Sequence, residues 1–199
     1  RGFAYSIDAP LDMRMDQSSG SSARDILYGY DRNALIRILR AYGDEKFAPR
    51  IVDNIIAARS KSALNTTKDL ADLVKESIPA PARRTGGNPA KRTFQALRIE
   101  VNRELEAIEI AIPSTLKMLA VGGRIVVMSY QSLEDKIVKS NFAEVCKSLT
   151  PRDLPVELPG TSAKFKYVVN GSEAASENEI LENSRSQSMR LRAVERVAA

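Results

Sequence analysis

The chain has 199 residues, is 43% hydrophobic and 28% charged, and sets 30 Lys and Arg against 25 Asp and Glu, a formal charge of +5. A single cysteine, Cys146, and no histidine exclude a disulfide framework, a zinc site of Cys/His type and any imidazole-based triad, so no metal site is expected and proton transfer falls to Asp, Glu, Lys, Tyr or water. No apolar run approaches the roughly 18 residues that span a bilayer and no signal-peptide pattern opens the chain, so the expectation is a cytoplasmic protein without a membrane partner.

The opening residues from Arg1 to Pro10 carry neither a helix start nor a polar tail, and read as the middle of a protein. From Ser22 to about Ile78 the spacing predicts about four short helices, with Leu35, Ile38, Leu39 and Tyr42 on one face. Ser22, Asp31 and Thr67 stand where N-caps are needed, Gly43 closes the second helix and Pro49 sits in the first turn of the third. Pro79 to Pro89, with three Pro and two Gly, reads as a linker. A long amphipathic helix is predicted from Lys91, kinked at Pro113 and stopped by Gly122-Gly123.

Arg124 to Tyr130 is a short β-branched run of the kind buried on both faces of a parallel sheet; its parallel partners are expected upstream of Arg1. Ser132 is read as the cap of the next helix, followed by strands at Lys164 to Val169 and Met189 to Val197 and a short helix capped by Ser176. That order is α/β and reads as the second half of such a domain.

Three features bear on chemistry. Ligands of open α/β sheets lie beyond the carboxyl ends of strands, where Ser129, Tyr130, Gln131 and Ser132 follow Met128, although Ser132 is equally read as a cap and Tyr130 as core. Asp12, Arg14 and Asp16 alternate at spacing two, so an extended backbone projects all three to one side, as a clamp for a nucleobase amine or as a structural ion network. Arg83, Arg84, Lys91, Arg92, Arg98 and Arg103 oppose only Glu100, and Arg185, Arg190, Arg192 and Arg196 oppose only Glu195. Such clusters fit nucleic-acid phosphates or, equally, a solvated basic surface.

Seven strings, in order along the whole chain, resemble one family. They are Arg1-Gly-Phe, Pro10 to Asp16, Tyr42-Gly-Asp-Glu-Lys-Phe47, Arg92 to Asn102, Gly122-Gly-Arg, Ser129 to Lys139, and Asn183-Ser-Arg with Arg190-Leu-Arg-Ala. The family is the bacterial S-adenosylmethionine-dependent methyltransferases of MraW type, which modify the exocyclic N4 of a cytidine in small-subunit ribosomal RNA. The resemblance implies the C-terminal part of a class I, Rossmann-like methyltransferase core with an inserted all-helical domain. Residues 1–16 would be a core segment carrying an active-site loop, 17–89 the insertion and linker, and 90–199 the C-terminal half of the core.

The resemblance further implies S-adenosylmethionine as cofactor, with its contacts upstream of Arg1, and small-subunit ribosomal RNA or the small subunit itself as partner. It leaves dimerisation open. On this mapping Asp12 or Asp16 with Ser132 would contact the target cytosine, Arg14 would orient the carboxylates and Gln131 would line the pocket. Tyr130-Gln131 stands where the family often has Phe-His, and Gln hydrogen-bonds without titrating near neutral pH. Arg83, Arg84, Lys91, Arg92, Arg98, Arg190 and Arg192 would meet RNA phosphates. The rival readings are a non-catalytic RNA-binding or ribosome-assembly protein lacking the cofactor half, and a methyltransferase acting on DNA or another RNA.

Overall fold

The computed structural model describes residues 2–83, 87–151, 154, 156, 158 and 160–198. Its contacts divide the chain between Glu104 and Leu105 into two compact units.

The first unit is helical: α1 (Ala23–Gly29), α2 (Arg32–Gly43), α3 (Ala48–Arg59), α4 (Thr67–Ser77), the single turn α5 (Ala80–Arg83) and α6 (Lys91–Asn102). Side-chain caps start three of them. Ser22 and Thr66 form reciprocal boxes with Asp25 and Asp69, and Asp31 caps α2. The cap of α4 is therefore Thr66 and not Thr67, whose buried hydroxyl instead donates to the Ile7 carbonyl at 2.6 Å and accepts from the Ala9 amide at 3.0 Å. Leu35, Ile38 and Leu39 of α2 meet Ile51, Val52 and Ile55 of α3, Leu70 and Val74 of α4, and Phe94 and Leu97 of α6 in one core. Gly43 lets α2 and α6 approach, since a Cβ there would lie 2.6 Å from the Arg92 carbonyl oxygen.

Residues 2–16 pack on these helices. Leu11 and Met13 are buried in the same core, Leu11 N–H donates to Asn65, and the Leu11 and Asp12 carbonyls accept from Arg24 and Ala23. By contact, α6 also belongs to this unit, whereas the sequence reading placed its boundaries after residues 16 and 89.

The single long helix expected from Lys91 is two helices. Arg103, in the left-handed region at φ 51°, ends α6, and α7 (Glu104–Met118) follows, with Pro113 inside it. Periodicity missed the break because apolar residues continue at helical spacing through it, and a left-handed Arg leaves no Gly or Pro to read. The helix also stops at Met118, before Gly122-Gly123.

In the second unit β1 (Arg124–Ser129), β2 (Phe165–Tyr167), β3 (Glu173–Ala174) and β4 (Arg190–Arg196) form a small sheet in which β4 pairs with all three others. Every pairing among the described residues is antiparallel, with Arg124 opposite Glu195 and Ser129 opposite Arg190. β1 is buried on one face only: Ile125 and Ser129 point inward, while Val126 and Met128 are more than half exposed. This corrects the expectation of a strand buried on both faces, because a run of five apolar or small residues carries no alternation from which the outward face can be read. α8 (Ser132–Val145) lays Val138 and Phe142 over Ile125, Phe165 and Val194, with Ile112 and Leu116 of α7 completing the core. The short α9 (Glu177–Glu182), capped by Ser176 as read from the sequence, precedes a 3-10 turn leading into β4.

Candidate functional site

The polar loop at residues 12–20 is held by its ends. Asn102, the last residue of α6, accepts from the Met15 amide at 2.7 Å and donates to the Met13 carbonyl at 2.8 Å. Met13, buried and at φ 61°, turns the backbone between them. The segment is thus not extended, and Asp12, Arg14 and Asp16 do not project as a row. Arg14 folds back on Asp12, with Nε 2.7 Å from Oδ1 and Nη2 3.0 Å from Oδ2, and reaches the Gly20 carbonyl. Asp16 accepts from the Ser18 amide and hydroxyl and from the Ser19 hydroxyl, and stays exposed.

The electrostatics follow from those bonds. The Arg14 guanidinium holds the Asp12 carboxyl below its ordinary range, against the opposing effect of burial, and the Ser18 hydroxyl does the same for Asp16. Both are carboxylates at neutral pH. Asp12 has both oxygens committed to Arg14, whereas Asp16 keeps lone pairs open to solvent. The loop therefore contains an ion pair that sets its shape and, beside it, an exposed acceptor. Sequence reasoning missed Asn102 as the clamp; the string ending on that residue was the available signal.

In the second unit the carboxyl end of β1 presents Tyr130, half exposed, and Gln131. The N-cap of α8 is Gln131, with Ser132 the first helical residue, so the sequence placed the cap one residue late. The Glu134 carboxylate accepts from the Tyr130 and Gln131 amides, which turns the chain from strand to helix. Gln131 Oε1 is buried and has no hydrogen-bond partner among the described residues. Cys146 packs against the core of this unit, and burial pushes its thiol up to about 11.

The basic residues divide by what they already hold. Arg98 is paired with Glu104 at 2.8 Å, and Arg192 with Asp135 at 2.7 Å, while also reaching the Gly171 carbonyl. Arg83 caps α4 through the Ile78 carbonyl, Arg92 donates to the Asp44 carbonyl beyond α2, and Arg190 to its neighbour Met189. Lys91 is exposed on the first turn of α6. Arg84 lies outside the described residues.

β1 runs into Tyr130, Gln131 and Ser132 and not into a glycine-rich turn, and Gly122 and Gly123 precede it, tied through backbone hydrogen bonds to Arg196. No helix of the described residues is long and apolar enough to cross a membrane.

Residues 1–197 match the model of the MraW methylase family. The chain is 54% identical over 199 residues to the ribosomal RNA small subunit methyltransferase H of Nocardia farcinica, covering all of this chain and 61% of that protein. It is 57% identical to the proteins of the same name from Frankia casuarinae, where it covers 62% of the relative, and Mycolicibacterium smegmatis, where it covers 53%. The chain thus spans between about half and three fifths of the length of these curated relatives. A match along nearly every residue, taking in the clamped acidic loop and the polar end of β1, shows that the chain belongs to the MraW methylase family.

Proposed function

We propose that the protein methylates the exocyclic N4 of a cytidine in small-subunit ribosomal RNA, with S-adenosylmethionine as the donor, and acts on the small ribosomal subunit or an assembly intermediate of it. In this reading the sheet and helices of the second unit are part of a class I methyltransferase core, and the helices of residues 17–89 are an insertion into it. The observation that carries the reading is identity above 50% along the whole chain to proteins named ribosomal RNA small subunit methyltransferase H. In this reading the part of the described residues in the chemistry is on the acceptor side.

The amine of cytosine is a weak nucleophile because its lone pair is delocalised into the ring. As a bond to its nitrogen forms, the nitrogen becomes cationic and its protons acidic. Carboxylate, hydroxyl and amide oxygens that accept from those N–H groups stabilise the developing charge and fix the lone pair toward the donor. No group titrating near neutral pH is needed, which suits a chain without histidine. Asp16, with its open lone pairs, is the proposed acceptor on the 12–20 loop. Asp12 and Arg14 hold that loop in shape. Within the second unit, Gln131 and Ser132 are proposed separately as polar groups for the substrate. Arg83, Arg84, Lys91, Arg92 and Arg98 are proposed contacts for RNA phosphates, as are, separately, Arg190 and Arg192 of the second unit, with Arg98 and Arg192 acting from within their ion pairs.

Single-turnover methylation by the protein expressed from its complete reading frame tests the assignment. Asp16→Asn should slow transfer about 100-fold at saturating RNA, the scale of losing one preorganised transition-state acceptor. Asp12→Asn should slow it too, by releasing Arg14. Full rates in both variants would remove the loop from the chemistry.

A further inference from the structure

The basic residues of the linker region cluster along the sequence, but the fold gathers a different set around a cavity. Between the α2–α3 turn, the residues before α6 and the first turn of α6 lies a cavity of about 610 Å³. Lys46, Lys91 and Arg92 stand on its wall, and Phe47, Ile78 and Pro89 give it apolar surface. Glu45, the one carboxylate among the described lining residues, is buried, and its Oε1 accepts from the Phe47 amide at the start of α3. Lys46 and Lys91 are exposed, and Arg92 spends one Nη1 hydrogen bond on the Asp44 carbonyl, which fixes its guanidinium at the rim.

The helix ends beside the cavity add little to this field. α3 and α6, each of 12 residues, begin beside this cavity at Phe47 and Ala90, and neither has a side-chain cap. The other well-formed helices of the unit, α1, α2 and α4, are all capped by Ser, Asp or Thr. The first amides at α3 and α6 are already engaged, Phe47 N–H by Glu45 Oε1 and Ala90 N–H by Asn88 Oδ1, so the positive charge at the cavity comes from the three cations. Together with an apolar wall, this is an environment for an anion that carries a flat apolar body.

We propose that this cavity is a nucleotide subsite for RNA, in which Lys46, Lys91 and Arg92 hold a backbone phosphate and Phe47 and Pro89 receive the attached base or ribose. The inference rests on the reading of the protein as an RNA-modifying enzyme, and it names Lys46 as an RNA-binding residue that charge clustering along the chain does not select. Lys46 is separated from the linker cluster in sequence by most of the helical unit and joins it only because α2 packs on α6.

The test is equilibrium binding of fluorescein-labelled small-subunit ribosomal RNA transcript to the complete protein across a salt series. Lys46→Ala should weaken binding roughly fivefold and the Lys46→Ala/Lys91→Ala pair further, with the slope of log affinity against log salt falling by about 0.7 to 0.9 for each phosphate that is no longer neutralised. Lys46→Arg should restore affinity. Lys75→Ala, an exposed lysine on α4 outside the cavity, is the matched control and should change little. Lys46, Lys91 and Lys75 are all on the surface, and an unchanged thermal midpoint verifies the fold of each variant. Lys46 variants that bind as the parent does, or a Lys75 variant that loses as much, would overturn the subsite while leaving methylation of N4 untouched. A parent protein that binds no RNA at all would overturn this inference together with the reading beneath it.

Discussion

Asn102 and Thr67 do at the scale of single residues what no helix face does: each ties a loop near the start of the chain to the helical unit through both a donor and an acceptor. Thr67→Val keeps the shape of the side chain but leaves the Ile7 carbonyl and the Ala9 amide without their partner. Because the site is fully buried, the expected cost is about 2 to 3 kcal/mol, read as a lower urea midpoint; a change under about 0.5 kcal/mol would mean water replaces the hydroxyl. The sequence placed Thr67 correctly at the start of α4 but one position off as its cap, since adjacent threonines offer the same oxygen and only backbone geometry distinguishes them. For the Asp12, Arg14 and Asp16 set, residue types were legible and arrangement was not. Alternation predicts a row only on an extended chain, and Met13 in the left-handed region breaks that premise. Lys46 was invisible for a different reason, as its relation to Lys91 is wholly tertiary.

Among the elements, the helices of the first unit could be read closely because their signals are local: a capping oxygen, an acid three residues on, and apolar residues at the spacing of one face. The strands could be located but not oriented. The antiparallel pairing of β1 with β4 joins residues 124–129 to 190–196, and nothing within either segment specifies direction. That pairing is locked from α8, where Asp135 grips Arg192 of β4 through two hydrogen bonds, at 2.7 and 2.9 Å. The Arg192 guanidinium holds the Asp135 carboxyl below its ordinary range, so the folded state binds its proton less readily than the unfolded chain does. The pair therefore stabilises the second unit above the usual carboxylate range, and its contribution fades as the pH falls through the depressed value. Asp135→Asn should cost about 1 to 2 kcal/mol at pH 7, with the gap to the parent closing below about pH 4. A gap independent of pH would assign the effect to packing alone.

Taken whole, the chain is two compact units, one helical and one a small sheet under α7 and α8. The match to the MraW methylase family runs across both units, so the fold division does not separate a family part from an unrelated one. Seven strings spread along the chain made the family legible in the sequence; the burial of Gln131 Oε1 and the commitment of Arg98 and Arg192 to carboxylates needed side chains in place. The central claim concerns a chemical product, and the direct measurement is nucleoside mass spectrometry of small-subunit ribosomal RNA from cells with the gene intact and with it deleted. The account predicts that N4-methylation of cytidine is lost on deletion and returns when the complete reading frame is restored; an unchanged level of that modification in the deletion strain would contradict it.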